Sequence, residues 1–283
     1  MKFIPFFLIA CIVTLSSISK AEIMCYRKVQ DGRLPFIKYS DATLSLSVKK
    51  EGASFKGVQF NHSKESPSPH VTITHIESAF YVFGGKKKGD DERLEATLER
   101  HPYLLEPLKA LCIEVKPTLS DVKQVEELWL LGKESYKVTT ALHPNPHEYI
   151  VTKESIVQAL KNQKISSTVN VQAILIKIHG GESYSKDWPY LTNEAMNFIM
   201  TQFDPSVVAI NTPSLDREKD EGVTSNHKIV FKDLDRLVLE LGDFSQLNSG
   251  LYRIKLNPKL EKSIHLEDCA PSLLVAQKIE SFN

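Results

Sequence analysis

Val207-Val208-Ala209-Ile210-Asn211-Thr212-Pro213-Ser214-Leu215-Asp216-Arg217 changes character at its fifth residue. The first four residues are apolar and three of them are β-branched, which reads as a short buried strand. From Asn211 to Asp216 the chain carries the residue types that start and hold turns. A buried strand ending in a polar turn sets polar side chains at the end of a sheet, where binding and catalytic groups are commonly mounted.

The neighbouring segments place this strand in a mixed α/β order. Upstream, Thr192 caps a helix through Ala195, Phe198 and Ile199, and Val169 to Ile178 is an apolar, β-rich run suited to a central strand. Thr152 is the N-cap of a helix that opens around Val151–Ser155 and runs to about Leu160. Leu111-Cys112-Ile113-Glu114-Val115 is a strand closed by Pro117. Asp90 to Lys109 has helical spacing, but Pro102 removes a backbone donor within it, so two short helices or a helix and a turn are expected. Asp41 to Val48 alternates as a half-buried strand. Downstream, Asn226-His227 begins an apolar segment to Phe231, and Leu237-Val238-Leu239-Glu240-Leu241 is a strand holding one carboxylate. Either the Glu240 face meets solvent, or the buried carboxylate needs a partner or a metal. With no repeat and no linker, residues 22–283 are expected to form a single domain.

Pro69-His70-Val71-Thr72-Ile73-Thr74-His75-Ile76-Glu77 adds ligand chemistry. The β-branched residues favour extended backbone, and a side-chain period of two sends His75 and Glu77 to the same side. His70 has the opposite parity and needs a bulge or turn end near Thr72 or Ile73 to join them. Imidazole nitrogen with carboxylate oxygen suits zinc or manganese, and a bridging carboxylate suits a two-metal site. An amphipathic strand with its polar face in water is the alternative.

Composition narrows the partners. Thirty-five basic and thirty-five acidic residues cancel, so no overall field draws the chain to nucleic acid or anionic lipid. The basic cluster Lys86-Lys87-Lys88 reads as a solvated loop after Gly84-Gly85. Lys2, an apolar run from Phe3 to Val13, and small residues at Ser19 and Ala21 read as an export signal over residues 1–21, giving a periplasmic or secreted protein. The run is shorter than the about 20 residues needed to span a bilayer, and no later segment supplies a transmembrane anchor. Leu8-Ile9-Ala10-Cys11 resembles a lipobox but comes early in an apolar run that continues past it, so lipidation is the less favoured reading. Cys25, Cys112 and Cys269 allow at most one internal disulfide and form no CxxC pair. His143 and His147 lie in a Pro-flanked loop and His179 at a strand end before Gly180-Gly181, while His62, His101 and His265 have no companion pattern.

His70, Thr74, His75 and Glu77, then Thr212-Pro213-Ser214-Leu215-Asp216, His227 and Glu240, together resemble the metal-dependent cyclase family, which includes kynurenine formamidase and isatin hydrolase. The likeness runs from about residue 40 to 276, with support from Trp188-Pro189-Tyr190-Leu191-Thr192, Glu194-Ala195, Pro258 and Asp268, Ala270 and Pro271. It implies a swivelling β/β/α fold with a mixed central sheet, two zinc or manganese ions, a small-molecule substrate and a homo-oligomer. By the same resemblance His70 and His75 hold one metal, Glu77 contacts or bridges both, His227 holds the second and Glu240 reaches both. Thr74 and Asp216 would orient the imidazoles or meet substrate, with turn formation as the other reading of Asp216. The implied reaction is hydrolysis of an amide, formyl-amide or cyclic amide, as in an arylformamidase. Departures fall at Ile73, Ala79, Tyr81 and Pro271-Ser272-Leu273. Tyr81 stands where the family places a proton-transferring histidine. A phenol, with a pKa of about 10, acts at neutral pH as a hydrogen-bond donor or acid rather than a base. The alternative reading is therefore a family member that keeps metal or small-ligand binding without turnover.

Overall fold

The structure is a computed structural model that describes residues 23–25, 44–47, 56–60, 74–83, 93–121, 128–131, 134–137, 147–165, 169–181, 188–217, 224–260 and 268–280. The strands in chain order are β1 (Ile23–Cys25), β2 (Leu44–Ser47), β3 (Lys56–Phe60), β4 (His75–Glu77), β5 (Leu108–Val115), β6 (Thr118–Asp121), β7 (Leu128–Leu131), β8 (Glu134–Lys137), β9 (His147–Val151), β10 (Ala173–Ile178), β11 (Tyr190–Leu191), β12 (Val207–Ile210), β13 (Leu237–Glu240), β14 (Gly250–Pro258) and β15 (Cys269–Ile279). The helices are α1 (Phe80–Phe83), α2 (Leu94–Arg100), α3 (Lys153–Asn162), α4 (Asn193–Phe203) and α5 (Ser225–Val230), with a 3-10 turn at Pro102–Leu105.

The apolar, β-branched runs of β5, β10, β12 and β13 pair in parallel, in that order. Antiparallel β14 and β15 extend the sheet beyond β5, and β4 pairs with both β15 and β13. The mixed sheet therefore closes on itself, and β1 continues the edge of β15 beyond β4. Side-chain alternation splits the closed sheet into an inward and an outward face. Ile76, Cys112, Leu175, Ala209, Leu239, Tyr252 and Ala270 pack into one core. Alanines 110, 173, 209 and 270 line that side and leave room for the fully buried Tyr252. Ile113, Ile176, Val208 and Val238 face outward and pack with Ile156, Ile199 and Val230 of α3, α4 and α5. Parallel strands need cover on both faces, and the helices supply it on the outside.

Beside the closed sheet, β6, β9 and β11 form a three-stranded sheet, while β2–β3 and β7–β8 are two-stranded pairs. Pro102 ends the helical run as expected: α2 stops at Arg100 and the chain resumes as a 3-10 turn. Both threonine caps form, Thr152 accepting from Ser155 N and Thr192 from Ala195 N at 3.2 Å each. Thr192→Ala removes the acceptor at a buried helix start, so the unfolding free energy should fall by about 1 kcal/mol. Urea unfolding measures the loss, and an unchanged midpoint would contradict the cap's role.

The α/β class and the mixed sheet match the sequence reading; the closure of the sheet was not visible in it. His147 begins β9 and does not lie in a loop, because its backbone pairs opposite Asp121. Cys112 and Cys269 are buried thiols outside any disulfide. Burial in the inner core pushes the Cys112 thiol up to about 12, which leaves it unreactive packing. The export segment, Cys11, His62, His70, Lys86-Lys87-Lys88, His143 and His265 lie outside the described residues.

Candidate metal centre

The register of one strand pair assembles half of the site. Antiparallel pairing of β4 with β13 puts Glu240 directly opposite His75 and Val238 opposite Glu77. Ile76 and Leu239 turn inward to the core, so His75, Glu77 and Glu240 share the outward face beneath α5. Helix α5 contributes His227 from above that face. The side chains of His75, Glu77, His227 and Glu240 are all buried, none more than 4% exposed.

Each carboxylate turns one oxygen towards each imidazole. Glu77 Oε1 lies 3.0 Å from His75 Nε2 and Glu77 Oε2 lies 3.0 Å from His227 Nε2. Glu240 Oε2 lies 3.7 Å from His75 Nε2 and Glu240 Oε1 lies 3.2 Å from His227 Nε2. Ligand atoms of His75, Glu77 and Glu240 all fall within 4.8 Å of one another, the spacing of groups that share a cation.

The supporting contacts come from the turn after β12 and the residue after Glu240. Asp216 Oδ2 sits 2.6 Å from His227 Nδ1, which fixes the ring and leaves Nε2 aimed at the two carboxylates. Asp216 Oδ1 accepts from Asn226 N at 2.6 Å. The Leu215 amide donates to Glu240 Oε1 at 2.8 Å. Leu241 takes a left-handed φ of 56°, a conformation that costs a leucine energy and turns the chain sharply after the ligand strand. The Thr74 hydroxyl donates to the Leu241 carbonyl at 2.6 Å, tying the residue before His75 to the residue after Glu240. Asn211 bonds both backbone groups of Ile178 at 2.9 Å, and a Cβ on Gly181 would lie 2.5 Å from its amide. A side chain at Gly181 would therefore have to push the Asn211 amide off Ile178.

Charge accumulates here. Burial pulls the His227 imidazolium down, but the Glu240 charge and the Asp216 hydrogen bond outweigh it and hold His227 well above its ordinary value. Burial, reinforced by the Glu77 charge, raises the Glu240 carboxyl above the usual carboxylate range. His227 Nε2 has close charge contacts yet no aligned hydrogen bond. A buried imidazole nitrogen aimed between two carboxylates, with its other nitrogen held by a third, fits a divalent cation that takes nitrogen and oxygen ligands.

The structure brings His75, Glu77, His227 and Glu240 together, with Thr74 and Asp216 supporting them. Tyr81 sits on α1 with its ring 5.1 Å from the His227 ring in an edge-on contact, and it is 38% exposed. It lies between the buried cluster and solvent. His179 pairs instead with Glu114, at 3.2 Å, and is largely exposed. The sequence reading missed Asn226, whose amide bridges the Leu191 and Leu215 carbonyls at 2.8 and 2.9 Å. It also missed the Leu215 amide, a backbone group that no residue pattern announces.

No protein-family model and no curated protein matches the chain. Among solved structures, isatin hydrolase A from Labrenzia aggregata, bound to benzyl benzoate, is 12% identical and superposes with a TM-score of 0.54 over 92% of this chain and 94% of that one. A crystal structure described as a novel cyclase is 11% identical, with a TM-score of 0.53 over 92% of this chain and 88% of that one. At these identities the chain shares with both proteins a fold that spans nearly its whole length.

Proposed function

We propose that the protein is a divalent-metal-dependent hydrolase of amide, formyl-amide or cyclic amide bonds. The observation that carries this reading is the buried pair of carboxylates, each facing both His75 and His227. Four polar, charge-bearing side chains in a buried site are costly without a cation. The shared fold with an isatin hydrolase and a cyclase supports the hydrolase reading and its cyclic-amide class; the swivelling β/β/α description and a single domain over residues 22–283 are part of the proposal.

In this reading His75, Glu77, His227 and Glu240 would hold the divalent ions, two by the family resemblance; zinc and manganese suit the donor set. His70 would complete the ligand set. When bound, such ions would supply Lewis-acid polarisation of a carbonyl and a more acidic water at neutral pH. The chain does the rest. Asp216 keeps the His227 Nδ1 proton in place and fixes the ring. Leu215 holds the Glu240 oxygen against rotation. Tyr81, at the solvent side, donates its phenolic proton towards the departing nitrogen, an acid's role suited to its high intrinsic pKa. An arylformamidase-like substrate, export through the residue 1–21 segment to the periplasm or exterior, and assembly as a homo-oligomer complete the proposal.

The test is a hydrolysis screen with N-formyl aryl amides and isatin-like cyclic amides after loading with zinc or manganese. Turnover lost on chelation and restored by metal supports the reading; metal retention without turnover favours the binding-protein alternative. Where turnover is found, Tyr81→Phe tests the part of the phenol. It should lower kcat by about 100-fold while leaving metal affinity unchanged, since the phenol contributes only proton transfer. Equal kcat in both proteins would remove Tyr81 from the chemistry.

A further inference from the structure

Leu215, Asp216 and Arg217 make three anchoring contacts in succession. The first two reach the centre, at Glu240 and His227. The third points away from it: Arg217 donates through Nε and Nη2 to Glu148 Oε1 of β9, at 2.8 and 2.5 Å. The other oxygen, Glu148 Oε2, accepts from Tyr190 OH of β11 at 2.7 Å. The Arg217 and Glu148 side chains are 6% and 9% exposed. Trp188 Nε1 adds a bond to the Asp216 carbonyl at 2.9 Å.

A buried ion pair is a poor way to gain stability, because desolvation offsets most of the attraction. Two guanidinium donors on one carboxylate oxygen supply direction instead, since the planar group fixes how Arg217 leaves the backbone. The buried Arg217 side chain turns these donors to Glu148, away from the Glu240–His227 cluster. We infer that the Arg217–Glu148 pair, braced by Tyr190, is a positioning element of the metal centre. It holds residues 215–217 against the β6–β9–β11 sheet so that Leu215 and Asp216 meet Glu240 and His227 in fixed orientation. The inference rests on the metal-centre reading above.

Arg217→Lys and Glu148→Gln in the full chain test it, with two readouts: zinc affinity by competition with a chromophoric chelator, and the His227 imidazole N–H resonances of the metal-free protein. Zinc affinity should fall about 10- to 100-fold, as for loss of a group that orients a ligand. The Nδ1 proton signal of His227 should shift or broaden. Where either variant folds poorly, the apolar double replacement Arg217→Met with Glu148→Leu keeps the packing and removes the direction, and the same losses are expected. A lowered melting temperature with unchanged zinc affinity and an unchanged His227 signal would make the pair structural only and overturn the inference. If the unmutated protein retains no zinc, the metal reading fails separately. The His227 signal then decides alone: a shift supports the positioning role and constancy overturns it.

Discussion

Glu240→Gln should abolish metal retention and turnover while leaving the protein folded. Glutamine keeps the shape of the side chain and an oxygen that can accept from the Leu215 amide, 2.8 Å from Glu240 Oε1. It removes the charge, and it replaces the oxygen facing one imidazole with a nitrogen that cannot coordinate a cation well. In the unmutated protein, metal at a thousand times its dissociation constant stabilises the native state by about 4 kcal/mol. The variant should show none of that gain. Without metal its stability should stay close to that of the unmutated protein at neutral pH, because relief of the Glu240 burial cost and of the Glu77 repulsion is set against the lost attraction for His227. Thermal unfolding with and without zinc checks both statements. An equal zinc-induced shift in the two proteins would contradict the assignment of Glu240.

Metal affinity should climb steeply with pH. His227 is held well above its ordinary value and the Glu240 carboxyl is also raised, so the metal-free native state keeps protons that the unfolded chain has released. The sign is the same for both groups. The His227 contribution is full below the unfolded value of about 6.5 and is lost as pH rises through its raised native value. For Glu240 the loss begins above the ordinary value of 4.5. The metal-free protein therefore weakens as pH rises through this window. A cation displaces those protons, so its affinity gains about tenfold per pH unit for each proton released. Zinc titrations between about pH 6 and pH 8 measure the slope. An affinity flat across that range would show that neither group carries a displaceable proton.

Much of this was legible in the sequence because it was local. The caps at Thr152 and Thr192 and the break at Pro102 depend on a few neighbouring residues, and each forms as read. The shared face of His75 and Glu77 follows from a period of two, and the lone carboxylate at Glu240 marked itself by sitting in an apolar strand. The remaining features depend on contacts distant in sequence. Closure of the sheet requires β4 to pair with β13 and β15, more than 150 residues away, and the three-residue β4 carries no signal of its partners. Glu148 lies 69 residues from Arg217, and each alone reads as a surface charge. Tyr81 was legible as a departure from a family pattern, but its edge-on seat over His227 depends on a one-turn helix that periodicity cannot reveal in four residues.

Whether His75, Glu77, His227 and Glu240 form a metal centre is tested most directly by elemental analysis of the purified chain after loading with zinc or manganese and exhaustive desalting. Retention of about two ions per chain, matching a two-metal hydrolytic site, is the expected result. No retained metal, under loading conditions that leave the protein folded, would contradict such a centre.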